Sequence, residues 1–255
     1  MNLDYFIYNE NEQINFKSKQ NNYITFYGEL NEHLIKNIML INENDYITLN
    51  FSKASKKNIT KYYKLTRMSS YTFINTHHAE TVIDELAFPL ESLAFKKSDI
   101  KQKLEILSTK FNFDNYLEVS PSSLPTSKKA VLNIMCSLVT EPKLLVLDNI
   151  LSSLDKSDLD ITLNVLNEYK KNGLIIFNFT TDIESSLFGD EIIITDREKI
   201  IVSGKTMSVL NEEKIMKRLG LGLPFIVMLN KYLIDYNLID NYILEYKTLG
   251  GKLWK

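Results

Sequence analysis

Residues 127–195 alternate between helical patterns and short, nearly continuous apolar runs. The runs are KLLVLD (143–148), LIIFNF (174–179) and EIIIT (191–195). Apolar runs of this length without polar alternation are typical of strands that are buried on both faces of a parallel sheet. Right-handed crossovers bring the ends of such strands to one edge, where α/β proteins keep their ligand sites. We therefore predict an α/β fold with a mostly parallel sheet.

The helices between these runs carry their own boundary signals. SKKAVLNIMCSLVT (127–140) predicts a helix with Ser127 as its N-cap. The next helix has one apolar face and ends at Asn172-Gly173, a helix-stop pair. The residues of that face are Leu159, Leu163, Leu166 and Tyr169. Earlier in the chain, 97–111 predicts a helix with Ser98 as its N-cap.

The rest of the chain predicts short strands first and helices at the end. Period-2 alternation and aromatic residues favour strands in the N-terminal part. The predicted strands are 3–8, 13–18, 22–28, 45–51 and 71–74, and the predicted helices are 30–41 and 80–95. The last forty residues, from Gly222 on, predict an appended helical piece.

Composition excludes several classes of protein. The 255 residues are 44% hydrophobic and 24% charged, as in globular proteins, and the formal net charge of -2 gives no basic excess for nucleic acid. A lone cysteine, Cys136, excludes an internal disulfide and fits a reducing compartment. The N-terminus does not have the pattern of a signal peptide, and no segment has the roughly 20 apolar residues that span a bilayer. We expect a soluble protein, or one that reaches a membrane through a partner.

Three segments carry a resemblance to a known family. EPKLLVLDNILSSLDKSD (141–158) resembles the Walker B strand and D-loop of ATP-binding-cassette (ABC) ATPases. Residues 72–95 resemble the Q-loop and helical subdomain of the energy-coupling-factor (ECF) branch of that family, which imports vitamins and cobalt. Residues 191–210 and 219–233 are similar to its last strands and C-terminal helix. The resemblance covers about residues 70–235 and is weaker over 1–65.

The resemblance implies an architecture and a set of partners. It implies an ABC-type domain over 1–221, with a P-loop-like sheet, an antiparallel β subdomain and a helical subdomain at about 76–140, then a helical extension over 222–255. Members of the family work as dimers under a transmembrane subunit, whose coupling helices meet the helical subdomain. Candidates for that contact are Phe88, Leu90, Leu93 and Phe95, with core packing as the alternative for at least half of them.

The loop that should cradle the phosphates has lost its residues. The family's glycine-rich loop binds phosphate through backbone N–H groups and a lysine. The matching positions run from Gly28 to Lys36, and only Gly28 is kept. Asn31 and His33 replace glycines, and Leu34 replaces the lysine, while Glu29 and Glu32 add negative charge. The alternative is that Lys36 swings back to supply the missing amine.

The Walker B pair is half kept. Asp148 matches the carboxylate that holds Mg²⁺, so it is the candidate metal ligand, with capping of the following turn as the alternative. The next residue should be the catalytic Glu, but it is Asn149, whose amide cannot accept a proton from water.

The remaining family positions are also changed. The signature falls on Leu124 to Lys128, where Ser127 is a candidate contact to a partner-bound nucleotide, and Asp155 is the D-loop acid. The switch histidine is replaced by Thr181, which Asp182 follows. The Q-loop glutamine falls on Ile74, and Asn75 beside it offers an amide oxygen. The pair His77 and His78 predicts a solvated loop rather than a metal site, since no acid or cysteine stands at ligand spacing.

Together these losses predict a degenerate ATP-binding subunit, or pseudo-ATPase, that binds Mg-ATP weakly or not at all. It would pair with a competent ATPase paralogue and a transmembrane component at the cytoplasmic face of the cell membrane. Two alternatives stay open. One is an ATPase with unusual residues, which the retained Asp148, Asp155 and Asp182 favour. The other is a soluble scaffold or regulatory protein. The sequence does not name a transported substrate, because a separate membrane protein binds it in this family.

Overall fold

The computed structural model describes residues 3–28, 32–42, 44–50, 52–54, 56–196 and 199–254. The strands of these residues are β1 (Tyr5–Asn11), β2 (Ile14–Lys19), β3 (Tyr23–Gly28), β4 (Ile47–Leu49), β5 (Ser52–Lys53), β6 (Thr66–Ser70), β7 (Leu144–Asp148), β8 (Ile175–Thr180), β9 (Glu191–Asp196) and β10 (Lys199–Lys205). The helices are α1 (Glu32–Ile38), α2 (Ile59–Leu65), α3 (Val82–Glu91), α4 (Lys97–Lys110), α5 (Thr126–Leu138), α6 (Lys156–Lys171), α7 (Thr206–Leu210), α8 (Glu213–Arg218), α9 (Phe225–Asp235) and α10 (Tyr246–Leu253).

The central sheet has the strand order β10-β9-β3-β8-β7-β6. Strands β9, β3, β8, β7 and β6 are parallel, and β10 pairs with β9 in the antiparallel sense. The predicted parallel sheet is therefore confirmed, and the three apolar runs are its strands β7, β8 and β9. Along β7, Leu144 and Val146 face one core while Leu145 and Leu147 face another. Burial on both faces is the reason that the run shows no polar alternation.

A second, antiparallel sheet has the order β2-β1-β4-β5 and covers one face of the central sheet. Aromatic rings fill the space between the two sheets. Phe16 meets Phe26 edge-on at 5.0 Å, and Phe6 meets Phe177 at 5.0 Å. Each fully buried ring contributes roughly 1.5–3 kcal/mol of apolar burial. The predicted antiparallel subdomain is thus present and is attached through an aromatic core.

Helices cover the other face. The larger apolar cluster joins α3, α4, α5 and α6 to strands β7 and β8. At the β9 edge, Ile226 and Val227 of α9 and Leu249 of α10 share a cluster with Ile192 and Ile194. The C-terminal residues are helical, as predicted. The boundary at 221/222 stays a prediction.

The strand predicted at 71–74 is wrong. Tyr71–Phe73 form a 3₁₀ turn, and the strand before it is β6, which is made mostly of polar residues. Two of its buried hydroxyl groups have partners: Ser69 Oγ donates to Ser137 Oγ at 2.8 Å, and Ser70 Oγ donates to Asp148 Oδ2 at 2.7 Å. These bonds let a polar segment occupy the edge of the central sheet.

Both predicted serine N-caps are also wrong. α4 begins at Lys97 with Lys96 as its cap residue, so Ser98 lies inside the helix. α5 begins at Thr126 after Pro125, one residue earlier than predicted. Proline has a fixed φ that suits the start of a helix, and the Ser127 hydroxyl is thereby released to bond elsewhere.

Candidate functional site

The carboxyl ends of four parallel strands meet at one edge of the central sheet, where α/β proteins bind their ligands. β3 ends at Gly28, β6 at Ser70, β7 at Asp148 and β8 at Thr180. The strand registers place Ser70 opposite Asp148 and Tyr27 opposite Thr180. The fold therefore brings the segments that the sequence selected to this one edge of the central sheet.

Gly28 lies where β3 passes closest to β9. Its φ is 146°, and a Cβ at this position would overlap the Thr195 carbonyl oxygen and lie 2.6 Å from Thr195 Oγ1. Only glycine fits this backbone, so the sheet alone requires Gly28. Glu29, predicted to bring negative charge, and Asn31, predicted to obstruct the phosphates, lie outside the described residues.

Leu34 stands at the position of the family's phosphate-binding lysine. It is 5% exposed and packs in the core between the two sheets. The nearby amine, Lys36, lies 2.6 Å from Glu32 Oε1 one helical turn back, and both side chains are substantially exposed. Lys36 holds the pKa of Glu32 below its ordinary value through this hydrogen bond and through its charge. The amine that would have to swing back already has an acidic partner.

His33, at a second glycine position, belongs to a polar cluster that the sequence did not predict. Its Nε2 lies 3.2 Å from Glu10 Oε1 and 2.9 Å from Asn37 Nδ2. Asn37 also donates to the Tyr8 hydroxyl at 3.0 Å, and Tyr8 donates to Glu10 Oε2 at 2.7 Å. Burial and the bond to Glu10 raise the pKa of Tyr8. The cluster fastens α1 to β1, and its members are too far apart in sequence to form a recognisable motif.

Asp148 and Asn149 follow β7. Asp148 is half-buried, and one carboxylate oxygen accepts the Ser70 hydroxyl proton. Mg²⁺ prefers oxygen ligands, and the Asp148 carboxylate and the Ser70 hydroxyl beside it both offer oxygen atoms. Asp148 by itself is therefore suited to bind a magnesium ion. Asn149 has a φ of 50°, and its N–H donates to the Phe179 carbonyl at 2.9 Å. Asparagine adopts this left-handed backbone conformation more readily than most residues, so the turn alone favours asparagine at position 149.

Ser127 and Asp155 contact each other. The Asp155 N–H donates to Ser127 Oγ at 3.0 Å, and Asp155 Oδ1 caps α6 by accepting the Asp158 N–H at 2.9 Å. Ser127 Oγ donates its own proton to Asp158 Oδ2 at 2.6 Å. Ser127, which lies in the signature segment, and Asp155, the D-loop acid, are both candidate nucleotide contacts, and both are thus engaged within the chain.

Asp158 is a structural acid that the sequence did not predict. It is 3% exposed and pairs with Lys128 Nζ at 2.7 Å. Lys128 also lies over the rings of Tyr116, at 5.1 Å, and Phe113, at 5.7 Å. Together with Ser127 this pair joins the start of α5 to the start of α6. The sequence could have indicated a structural role for Asp158, because it is an acid in the first turn of a predicted helix.

Asp182 and Thr181 follow β8. Asp182 accepts the N–H groups of Glu184 and Ser185 at 3.1 and 3.2 Å, and the Ser185 hydroxyl at 2.8 Å. It therefore starts the 3₁₀ turn at Glu184–Phe188. Thr181, at the switch position, is exposed.

The Q-loop region lies beside β6. Ile74 is buried, and Asn75 Oδ1 accepts a hydrogen bond from Lys129 Nζ at 3.2 Å. His78 stacks on Phe88 with the ring centroids 5.2 Å apart. Among the residues that the structure describes, no three His, Cys, Asp or Glu side chains gather as a metal site.

A groove of about 450 Å³ opens between β6, the Q-loop turn, α3 and α5, and we call it the α3–α5 groove. Phe73 and Phe88, each about half exposed, lie on its walls. Of the four predicted coupling residues only Phe88 lines it. Leu90 is fully buried in the core, Phe95 packs on that core, and Leu93 is half-buried away from the groove. Leu90 and Phe95 thus contribute to core packing, which was the alternative for at least half of these four residues.

The described side chains do not fit a triphosphate. The lysine position holds the buried Leu34, the neighbouring amine of Lys36 is paired with Glu32, and Ser127 of the signature segment is bonded to Asp158. Asp148 alone suits a magnesium ion. Phosphoryl transfer depends on groups that hold the phosphates, and none of these described side chains is placed to do so.

The strand order, the antiparallel sheet and the helical subdomain together form the fold seen in ABC-type ATPase domains. The structure of cbiO1 from Clostridium perfringens, described as part of the ABC transporter complex cbiONQ, superposes with a TM-score of 0.73 at 20% identity, covering 91% of this chain and 100% of that one. An ATP-binding subunit of an ABC transporter gives a TM-score of 0.69 at 18% identity, covering 85% and 93%. No protein-family model matches the sequence.

Among ABC-type ATPases, the curated relatives that the chain is similar to are ATP-binding proteins of ECF transporters. The ECF transporter ATP-binding protein EcfA1 of Halalkalibacterium halodurans is 24% identical over 198 residues, covering 76% of this chain and 71% of the relative. EcfA of Pediococcus pentosaceus is 28% identical over 156 residues, covering 61% and 54%. The chain is thus a homologue of the ECF transporter ATP-binding proteins, and the resemblance seen in the sequence is confirmed. No helix among the described residues is long and apolar enough to cross a bilayer.

Proposed function

We propose that the chain is a pseudo-ATPase subunit of an ECF-type ABC transporter. In this role it pairs with a competent ATPase paralogue and lies under a transmembrane component at the cytoplasmic face of the membrane. It supplies shape and contacts, and the partner supplies ATP hydrolysis. Its degenerate character, its pairing and its location are inferences from its own residues and from its relatives.

The observation that carries the proposal is the fate of the phosphate-binding position. A lysine there must point at phosphate oxygens, but Leu34 is buried in the core between the sheets. An apolar side chain that stabilises the core has replaced a side chain that binds ligand. Lys36 is exposed beside Glu32, and their opposite charges at i and i+4 stabilise α1 instead.

A second support is that the matched residues have taken structural roles. Asp155 caps α6, Asp182 starts a turn, Asn75 holds Lys129, and Ser127 binds Asp158. These contacts preserve the shape of the D-loop and the signature helix without nucleotide. The chain keeps the fold of the family while its candidate nucleotide contacts bond within the chain. This combination favours the role of a partner subunit over that of an ATP-hydrolysing enzyme.

The α3–α5 groove supports the coupling role. It lies on the helical subdomain, which meets the coupling helices of the transmembrane subunit in the family that the chain resembles. Exposed apolar surface bordered by polar groups is typical of a protein interaction site, and Phe73 and Phe88 provide it here.

A second candidate function is an ATPase with unusual residues. One observation favours it, since Asp148 keeps its place at the carboxyl end of β7 with a hydroxyl beside it. On this reading Lys36 would leave Glu32 and bind the phosphates.

Co-purification with an intact ECF-type ATPase distinguishes the two. We expect a heterodimer by size-exclusion chromatography with light scattering, and ATP turnover that is unchanged when this chain carries Lys36→Gln. The same chain without its partner should show no turnover. Failure to form the heterodimer would contradict the pairing, and turnover that is lost with Lys36→Gln would favour the second candidate.

A further inference from the structure

Acidic residues are absent from one long stretch of the sequence. The chain has 32 Asp and Glu residues, yet none lies among residues 46–79. The same stretch has six Lys and Arg residues, and five of them lie between 53 and 64. This local excess of positive charge contrasts with the formal net charge of -2 for the whole chain. A surface built from this stretch attracts anions.

Helix α2 and the turn before it present three of these lysines to solvent. Lys57 lies in the 3₁₀ turn that leads into α2, and Lys61 and Lys64 follow at intervals of four and three residues, which is the spacing of one helix face. All three are exposed, and among the residues that the structure describes none of them forms an ion pair with an acid. Lys53, by contrast, pairs with Asp45 at 2.9 Å. We call Lys57, Lys61 and Lys64 the α2 lysine face.

The opposite side of α2 is fixed to the rest of the domain. Tyr62 is 2% exposed, and its hydroxyl donates to the Ile38 carbonyl at the end of α1. Arg67 of β6 donates to the Tyr63 carbonyl near the end of α2. The α2 lysine face therefore lies on a helix whose position is set by contacts on its other side.

Apolar surface lies beside the α2 lysine face. Tyr63 is 39% exposed, and its hydroxyl donates to the Leu40 carbonyl at 3.4 Å. The residue after Leu40 is Ile41, which is 61% exposed. At the surface of an anionic bilayer, lysines meet the lipid headgroups while aromatic and aliphatic side chains enter the boundary of the acyl chains. This part of the chain offers both kinds of contact.

The α2 lysine face also lies close to the α3–α5 groove. Arg67, which bonds to the Tyr63 carbonyl, is one of the residues that line this groove. The proposed function places the groove against the transmembrane component. In that arrangement α2 lies beside the component that the bilayer surrounds.

From the charge and the apolar border we propose that the α2 lysine face binds anionic lipid headgroups at the membrane surface, with Ile41 and Tyr63 in contact with the acyl boundary. The inference rests on the proposed function for the position of α2 beside the membrane. It adds a direct lipid contact to the contact made through the transmembrane component. A lipid surface is favoured over a nucleic acid, because Ile41 gains from burial among acyl chains and offers no ring on which a base could stack.

The test measures co-sedimentation of the full chain with vesicles of phosphatidylcholine, either pure or with about 30% phosphatidylglycerol as the anionic lipid. Each lysine close to an anionic surface contributes about fivefold to the partition coefficient, so the anionic vesicles should bind the chain about 100-fold more tightly than the neutral ones. This difference should shrink as salt is added, because the lysines are exposed and their charges are screened.

Two triple variants locate the effect. The first removes the α2 lysine face, and the second removes three exposed lysines of α6 and α8. They are Lys57→Gln/Lys61→Gln/Lys64→Gln and Lys156→Gln/Lys171→Gln/Lys214→Gln. Both change the net charge equally, and glutamine has nearly the helix propensity of lysine, so both should keep the fold by circular dichroism. The first variant should lose about 100-fold in binding to anionic vesicles, and the second should stay within about threefold of the unchanged chain.

Several results would overturn the inference. They are equal binding to the two kinds of vesicle, binding to neither, and an equal loss of binding in the two triple variants. Binding to a short single-stranded RNA that is tighter than binding to anionic vesicles, and that the first variant loses, would assign the face to nucleic acid instead. The vesicles require neither nucleotide nor a partner subunit, so failure of the pseudo-ATPase proposal would show separately, in the heterodimer and turnover measurements.

Discussion

Removing the charge of Asp158 tests how the signature helix and the D-loop are held together. In Asp158→Asn the shape of the side chain is kept, but Lys128 loses its ion pair and Ser127 loses its charged acceptor. Breaking a buried pair from one side costs about 3–5 kcal/mol. Lys128 is 18% exposed and keeps its contact with Tyr116, which offsets about 0.5–1 kcal/mol. We expect a loss of about 3 kcal/mol in the free energy of unfolding.

Urea unfolding at a constant m value measures this loss, and thermal unfolding should show a midpoint lower by about 6–12 °C for a chain of this size. Asp160→Asn is the matched control, because Asp160 is an exposed acid on the same helix and its loss should change stability by less than about 0.5 kcal/mol. If Asp158→Asn costs no more than Asp160→Asn, the structural role assigned to Asp158 is refuted. A double variant, Lys128→Met with Asp158→Leu, should recover part of the loss, since an apolar pair of similar size leaves no unpaired charge.

Three further predictions follow from single sites. Gly28→Ala should lower the free energy of unfolding, measured by thermal unfolding, by about 2–4 kcal/mol, because residue 28 has a φ of 146° and the added Cβ would clash with Thr195. Gly222→Ala is the control and should change the stability little, because a Cβ there meets nothing within 4 Å. Asn149→Glu should create no ATP turnover in a phosphate-release assay if the pseudo-ATPase proposal is right, since the buried Leu34 still occupies the lysine position. It should cost about 1 kcal/mol because residue 149 has a φ of 50°. Appreciable turnover would contradict the pseudo-ATPase proposal. Burial first, and two neighbouring glutamates second, raise the pKa of Tyr169 to about 12. In the unfolded chain this hydroxyl loses its proton at about pH 10, so the free energy of unfolding should fall as the pH rises from there through the pKa of the folded chain. Tyr169→Phe should make that fall less steep when unfolding by urea is measured at each pH.

The parallel sheet could be predicted because its signal is local and strong. KLLVLD, LIIFNF and EIIIT are nearly continuous apolar runs, and both of their faces are buried. β6 could not be predicted from the same rule, since Thr66–Ser70 is polar. The hydroxyl groups of Ser69 and Ser70 find partners that lie 68 and 78 residues further along the chain, and a sequence window contains no such information.

The strand and helix ends that carry the candidate residues were predicted from the sequence, but the contacts of those residues were not. The family resemblance placed Asp148, Asp155 and Asp182 correctly at strand and helix boundaries. It did not show that Ser127 bonds to Asp158, because that bond joins two helices across 31 positions. The cluster of Tyr8, Glu10 and His33 was missed for the same reason.

The most direct test of the pseudo-ATPase proposal is binding of Mg-ATP to the isolated chain, measured by calorimetry beside an intact ECF-type ATPase. The proposal predicts no saturable heat at concentrations where the intact ATPase saturates, because Leu34 is buried and Lys36 is paired with Glu32. Saturable micromolar binding that Lys36→Gln abolishes would contradict it and would show that Lys36 rebuilds the phosphate site.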